Sequence, residues 1–310
     1  MASHMRLPAG ACLCCWLLLF KVVSSEHADD FDSNALLSVG MPKQMDLQAD
    51  SGHYAYLLRC AQAPAGDEAC YDTSPPEEFT VRFWLWDGRS FRVRSYSHWA
   101  PVFAQRFWQL SNLNWWRGVA IYRNDYVNES FRFVSQWGLV GSPAVNDAWT
   151  KWKTSNQTSP ALKSNTRGKI SFSMGAVECT AGPDDPCQAL RPNCTAEDYC
   201  ALGFSTEIYV NFADNSRLDE HGFAPIGEVD DEGMLVLDDL GRTLGNLYGE
   251  VQDLCPPTPP GKYCVYRDGE RAGVNETKFH QEGNRYIWKD FPEMFRLRIA
   301  SARVERWYAA

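Results

Sequence analysis

The chain has 310 residues, 45% of them hydrophobic, and 30 Lys+Arg against 39 Asp+Glu give it a net charge of −9. That length buries one good core with room for a small appendage. The acidic balance, without a Lys/Arg block, excludes the electrostatic footprint of a nucleic-acid or anionic-membrane binder, and reads instead as solubility.

Residues 1–25 read as a secretory signal peptide. Met1–Met5 (MASHM) stand apart as an appended remnant, Arg6 supplies a short positive region, and Ala11–Phe20 form an apolar run too short to span a bilayer. Val23-Ser24-Ser25 offer small residues for cleavage. No membrane segment is expected once this leader is gone. Eight cysteines follow it: Cys60, Cys70, Cys179, Cys187, Cys194, Cys200, Cys255 and Cys264. An even number after a leader reads as four disulfides, and proximity favours Cys60 with Cys70 and Cys255 with Cys264, the other four pairing among themselves. None of the eight forms a CxxC pair and no histidine lies among them, so a zinc site is the weaker reading and no metal or cofactor is expected. Sequons at Asn128, Asn156, Asn193 and Asn275 suit the surface loops of an exported glycoprotein.

Residues 26–76 are polar and weakly periodic, an N-terminal extension that packs loosely on the main domain. Order begins with FTVRFWLW, where Phe79, Val81, Phe83 and Leu85 alternate with Thr80, Arg82, Trp84 and Trp86. Asp87-Gly88 is a two-residue hairpin signal, answered by Phe91 and Val93. Pro101 suits the first turn of a helix whose Phe103, Phe107 and Leu110 share one face. Further strands are predicted at 170–175, 208–212 and 225–229, and a second helix from about Met234 with Leu237, Leu240, Leu244 and Leu247 as its stripe. Residues 295–300 (FRLRIA) alternate again and predict a closing strand. Val177–Gly203 is a Cys-rich insertion and 255–283 a Pro/Gly-rich excursion, both inside a main domain taken as 77–306. Many short alternating strands with only two amphipathic helices predict a mainly β fold, a closed antiparallel barrel with one helix over each open end.

Ser205–Val229 is the most telling stretch: a strand through Ile208, Val210 and Phe212, an Asp-Asn loop, and a Gly-Phe-Ala-Pro corner entering a second strand. This order resembles the C-terminal half of the cyclophilin-type peptidyl-prolyl isomerases, most nearly a divergent branch carrying GFAP. Other landmarks fall in the family's order. Trp99-Ala100-Pro101 with Arg106-Phe107 resembles the start of its first helix, and Ile121-Tyr122-Arg123 its arginine-bearing strand. Phe133-Val134-Ser135-Gln136-Trp137-Gly138 and Ser164–Gly168 with Ile170-Ser171-Phe172 resemble two further strands. Glu282-Gly283-Asn284 with Phe291-Pro292 is similar to the tail. The resemblance spans roughly 79–304 and implies an eight-stranded barrel.

It also implies an activity. An X-Pro amide rotates slowly because conjugation is lost at the top of the barrier, so a catalyst binds the twisted form better than either planar one. A guanidinium donating to the prolyl nitrogen withdraws that nitrogen from conjugation, and an apolar pocket grips the ring while the preceding carbonyl swings. Carried over, Arg123 is the catalytic arginine and Gln136 the amide that orients it. Phe133, Val134, Tyr209 and Leu218 line the proline pocket, Phe223 stands at its rim, and Ser173 and Glu207 lie along the substrate groove. Outside this order the same side chains read as core or as ordinary surface. Partners implied are proline-containing polypeptide clients of the secretory pathway, met by a monomer.

The chain departs from the family at several places. Arg123 to Phe133 is about five residues longer than usual, Glu207 replaces a common glutamine, Phe223 a histidine and Arg217 a tryptophan. A Glu207–Arg123 ion pair would occupy the guanidinium and quench catalysis. The competing reading is therefore a catalytically inactive secreted glycoprotein that binds partners through the groove. A glycan-binding module, suggested by 12 tryptophans, is weaker because packing explains those in strands. No GxSxG elbow or metal-spaced histidines support a hydrolase.

Overall fold

The structure is a computed structural model. It describes residues 45–63, 67, 69–70, 74–128, 131–150, 162–180, 185–188, 191, 194–195, 198–244, 265–267, 270–272, 274–292, 294 and 297–305. By its contacts the chain divides into residues 1–48 and 49–310; of the first unit only the start of one helix is described, and the sheet with its other helices belongs to the second. The signal-peptide reading, Leu247, Cys255, Cys264 and the sequons at Asn156 and Asn193 lie outside the described residues. No described helix is long and apolar enough to cross a membrane.

Alternation becomes pairing directly after residue 77. In β1 (Glu78–Leu85) Phe79, Val81, Phe83 and Leu85 are buried, while Arg82 and Trp84 are only half so. β2 (Ser90–Tyr96) folds back on it antiparallel across Asp87-Gly88. β3 (Ile121–Asn128), β4 (Phe131–Trp137), β5 (Lys169–Glu178), β6 (Tyr199–Asn211) and β7 (Pro225–Val229) come next. A separate two-stranded ribbon, β8 (Val265–Arg267) and β9 (Glu270–Ala272), precedes the last strand, β10 (Ile299–Glu305).

The eight-stranded sheet runs β10-β1-β2-β7-β5-β6-β4-β3, every pair antiparallel. Its end strands, β10 and β3, do not pair with each other among the described residues, so the sheet is a curled half-barrel and not the closed barrel expected. The curl is visible in what the helices touch. In α4 (Asp231–Leu244) a Cβ on Gly241 would stand 2.8 Å from Tyr126 of β3, and one on Gly233 2.9 Å from Phe91 of β2, five places away in the ladder. One helix thus reaches both β2 and β3, and β3 itself is broken by three register irregularities.

The interior is aromatic. Phe83 stacks on Phe91 at 4.9 Å and meets Trp116 and Trp137 edgewise or tilted at 5.9 and 5.8 Å. From α2 (Pro101–Asn112), Phe103 packs on Phe204 at 4.3 Å and Phe107 on Phe79 at 5.9 Å. Each such ring, fully buried, contributes about 2–3 kcal/mol against an exposed one.

Among the described residues there are six helices, not two. Of α1 (Met45–Gln62), Leu57, Cys60 and Ala61 join the main core with Cys70, the Trp149 indole donates to the Leu57 carbonyl at 3.0 Å, and Cys60 is bridged to Cys70. This part of the segment expected to pack loosely is thus built in. Its apolar residues are too few for a sequence stripe, which is why the helix was not foreseen. α3 (Pro143–Thr150) supplies Trp149, α5 (Glu276–Glu282) turns the end of the expected excursion into helix, and α6 (Asn284–Asp290) follows directly after it. The exposed Asn275 caps α5, its Oδ1 accepting from the Lys278 amide.

Two strands differ from expectation. The closing strand begins at Ile299, because Phe291, Met294 and Leu297 pack against α5 and α6, with successive i to i+3 backbone bonds in between. The predicted insertion at Val177–Gly203 is partly ladder, β5 and β6 remaining paired from Met174↔Phe204 to Glu178↔Tyr199. Cys179–Cys194 and Cys187–Cys200 staple its tip.

Candidate functional site

One rung of the sheet brings together three of the nine predicted site residues. Arg123 on β3 stands opposite Gln136 on β4, Gln136 opposite Tyr209 on β6, and Tyr209 opposite Ser171 on β5. The first pairing is irregular. Ile121 faces Trp137 and Arg123 faces Gln136, so Tyr122 is an extra residue, a bulge. A bulge re-aims neighbouring side chains, and here it lets two consecutive residues reach one amide.

That amide is buried and fully engaged. Arg123 Nη1 donates to Gln136 Oε1 at 3.1 Å; arginine has only donors, so the glutamine must turn its oxygen this way. Gln136 Nε2 then faces the Tyr122 hydroxyl at 2.5 Å, Glu207 Oε2 at 3.2 Å and Ser173 Oγ at 3.3 Å. The Tyr122 hydroxyl donates in turn to the Glu207 carboxylate. Glu207 faces His280 of α5 across 3.8 Å, an electrostatic contact and not a direct hydrogen bond. The contact with Glu207 lifts the imidazole above its ordinary value, against the opposing pull of burial, with Glu276 and Asp147 adding to the rise.

The ion pair with Glu207 that would have quenched Arg123 is not formed. The guanidinium is held instead by Asp125, two residues along the same strand, with Nε donating to Oδ2 at 2.8 Å. Burial pushes the Asp125 carboxyl above the usual carboxylate range, and Arg123 opposes that rise.

Beside this polar chain lies a small apolar cluster separate from the main core: Val134, Tyr209 and Leu218, with Phe133 and Phe223 packed against it. The Arg123 guanidinium lies 5.5 Å from the centre of the Phe133 ring. Tyr209 meets Phe223 edge-on at 6.0 Å, and burial keeps its phenol neutral by raising it far above its usual value. Its hydroxyl donates to Asn165 Oδ1 at 3.0 Å. Asn165 organises the base of this cluster, also accepting from Ser171 Oγ at 2.8 Å and donating to the Phe223 carbonyl at 2.8 Å. Asp219 accepts from the Asn165 backbone and side chain, at 2.9 and 2.7 Å. It thereby fastens the 3-10 turn Ser216–His221, which carries Leu218, to that base. Gly222 ends the turn at φ +97°, a left-handed conformation that points the chain into Phe223-Ala224-Pro225.

All nine predicted residues fall on this one surface, in two groups: Arg123, Gln136, Ser173 and Glu207 in the hydrogen-bonded chain, and the other five in the apolar cluster. Sequence reasoning missed Tyr122, Asp125, Asn165 and His280 as participants. Asp125 sits at the same-face spacing from Arg123, a usable signal. The role of Tyr122 depends on the bulge, and His280 comes from the excursion, so neither left one.

Two groups bring metal-type donors together. Cys179 and Cys187 lie with Asp185, but both sulfurs are in disulfides. Ligand atoms of Glu207, Glu276 and His280 lie within 4.8 Å of one another, and there Glu207 and His280 already offset each other's charge.

No protein-family model matches the chain, and no curated protein does. Among solved structures it is similar to a cyclophilin-type peptidyl-prolyl cis-trans isomerase of Cryptosporidium parvum at 12% identity and a TM-score of 0.39, over 74% of this chain and 98% of that one. A second structure of that protein, in the presence of the dipeptide Ala-Pro, matches at 11% identity and a TM-score of 0.38, over 73% and 99% of the two chains.

Proposed function

We propose that the chain is a peptidyl-prolyl cis-trans isomerase of the divergent GFAP-bearing cyclophilin type, acting on X-Pro bonds of exported polypeptides. One observation carries the reading: the Arg123 guanidinium, fixed by Gln136, stands over the ring of Phe133 at the edge of a self-contained apolar cluster. A proline ring seated among Phe133, Val134, Tyr209, Leu218 and Phe223 brings its nitrogen towards Arg123. Donation to that nitrogen favours its pyramidal, unconjugated form, the one met at the top of the barrier. Gln136 keeps the guanidinium plane in place, so little orientational freedom is lost at the reacting step. Three disulfides among the described residues support an oxidising, secretory setting.

A chymotrypsin-coupled assay on an Ala-Pro-Phe peptide tests this. Arg123→Ala lowers kcat/KM by roughly a hundredfold or more, about 3 kcal/mol of transition-state binding, while circular dichroism stays unchanged. Equal rates for wild type and variant support the second reading, a catalytically silent, partner-binding glycoprotein. That reading is favoured by one observation, the Asp125 carboxylate already bound to Arg123 Nε at 2.8 Å.

A further inference from the structure

Two guanidinium groups face the ring of Phe133, and they differ in their charge partners. Arg123 lies 5.5 Å from its centre and is neutralised by the buried Asp125. Arg217, exposed on the 3-10 turn, lies at 4.7 Å, and its polar partner is the uncharged Asn215 Oδ1 at 3.2 Å. Every carboxylate near it along the chain is committed elsewhere. Asp214 accepts from the Ser216 amide at 3.0 Å, and Asp219 is taken up by Ser164 and Asn165. Glu220 pairs with Arg191 at 3.7 Å and with His221 at 3.8 Å. Among the described residues no carboxylate pairs with Arg217, in a chain of 30 bases and 39 acids. Stacking engages the face of a guanidinium, whereas its N–H donors point outward in its plane, in the fork that matches a carboxylate.

The position gives that unmatched charge a use. Arg217 adjoins Leu218 in sequence and rests on Phe133, and both of these belong to the apolar cluster. A proline held there brings the side chain of an adjoining residue to the guanidinium. Resting on the isomerase reading, we propose that Arg217 is a specificity residue selecting prolines that adjoin an Asp or Glu side chain. Against a net negative surface, such a local cation acts by contact and not by long-range steering.

Exchange-spectroscopy NMR on peptides carrying Glu, Gln or Lys immediately before or after the proline tests the proposal. In the wild type, Glu exceeds Gln roughly two- to fivefold in kcat/KM at one of the two positions. Lys falls below Gln, and the preference collapses at ~0.5 M salt. Arg217→Gln brings the Glu/Gln ratio to one, and Arg217→Glu inverts the preference towards Lys. Equal Glu and Gln rates at both positions, or a preference that survives Arg217→Gln, overturn it. Should no peptide be accelerated, the isomerase reading falls by itself, and chemical-shift titration of the same samples then decides. A Glu/Gln ratio of dissociation constants that depends on Arg217 upholds carboxylate selection, and a flat ratio rejects it.

Discussion

Gln136 is the junction of the polar chain because a single amide serves two charges of opposite sign, its oxygen turned to Arg123 and its nitrogen to Tyr122 and Glu207. Asp125 tempers the guanidinium from the far side. Burial raises its folded-state pKa, so Asp125 takes up a proton at a higher pH than an exposed aspartate does, and the ion pair is lost as pH falls through that raised value. Asp125→Asn keeps an acceptor for Nε but removes the charge. It is expected to raise kcat/KM roughly threefold, about 0.6 kcal/mol, and to flatten the acid limb of the wild-type pH–rate profile. A variant slower than wild type across the whole profile would show that Asp125 orients Arg123 and does not damp it.

At the scale of elements, strands with a clean period of two were legible, and helices depended on how many apolar residues they spent. Pro225–Val229 and the buried alternation of β1 fall where the pattern predicts them. α1 hides behind polar residues and α5 behind an irregular stretch, while the alternation at 295–300 reads as strand from its start although Leu297 packs with Phe291 and Met294 into a helix interface. The pocket was readable because its residues come in a recognisable order; the contact from α5 was not, since His280 approaches from a segment with no period. That contact has a pH signature. The imidazole binds its proton more tightly folded than unfolded, so the His280–Glu207 attraction stabilises fully below pH about 6.5 and is lost as pH rises through the higher folded value. The melting temperature of wild type should fall more than that of His280→Gln between those pH values, measured by calorimetry. Parallel curves would remove α5 from the energetics of the groove.

Across the whole molecule, the Cys-rich tip is a brace for the pocket turn. Arg191 donates to the Tyr199 carbonyl at 2.9 Å and reaches Glu220, while the Tyr199 ring stacks on His221 at 3.9 Å. One end of the Ser216–His221 turn thus leans on the stapled ribbon and its middle on Asn165. Cys179 and Cys194 close a 15-residue interval, worth about 3 kcal/mol in the unfolded chain. The double variant Cys179→Ser/Cys194→Ser is expected to lose about that much stability in urea unfolding. It should also raise KM for a proline peptide with kcat little changed, since the brace supports Leu218 and not Arg123. A drop in kcat at constant KM would place the ribbon's influence on the guanidinium.

The supernumerary residue at position 122 has a consequence of its own. At Arg123 and Asn124, odd and even positions of β3 have exchanged sides relative to β4, so which way these two face is set by a count and not by any one side chain. Replacing Tyr122 with another large residue alters its contacts with Gln136, Glu207 and Phe279; excising it is expected to turn Arg123 to the opposite side of the sheet, away from Gln136. Length, at this point of the chain, is the more exacting requirement than identity.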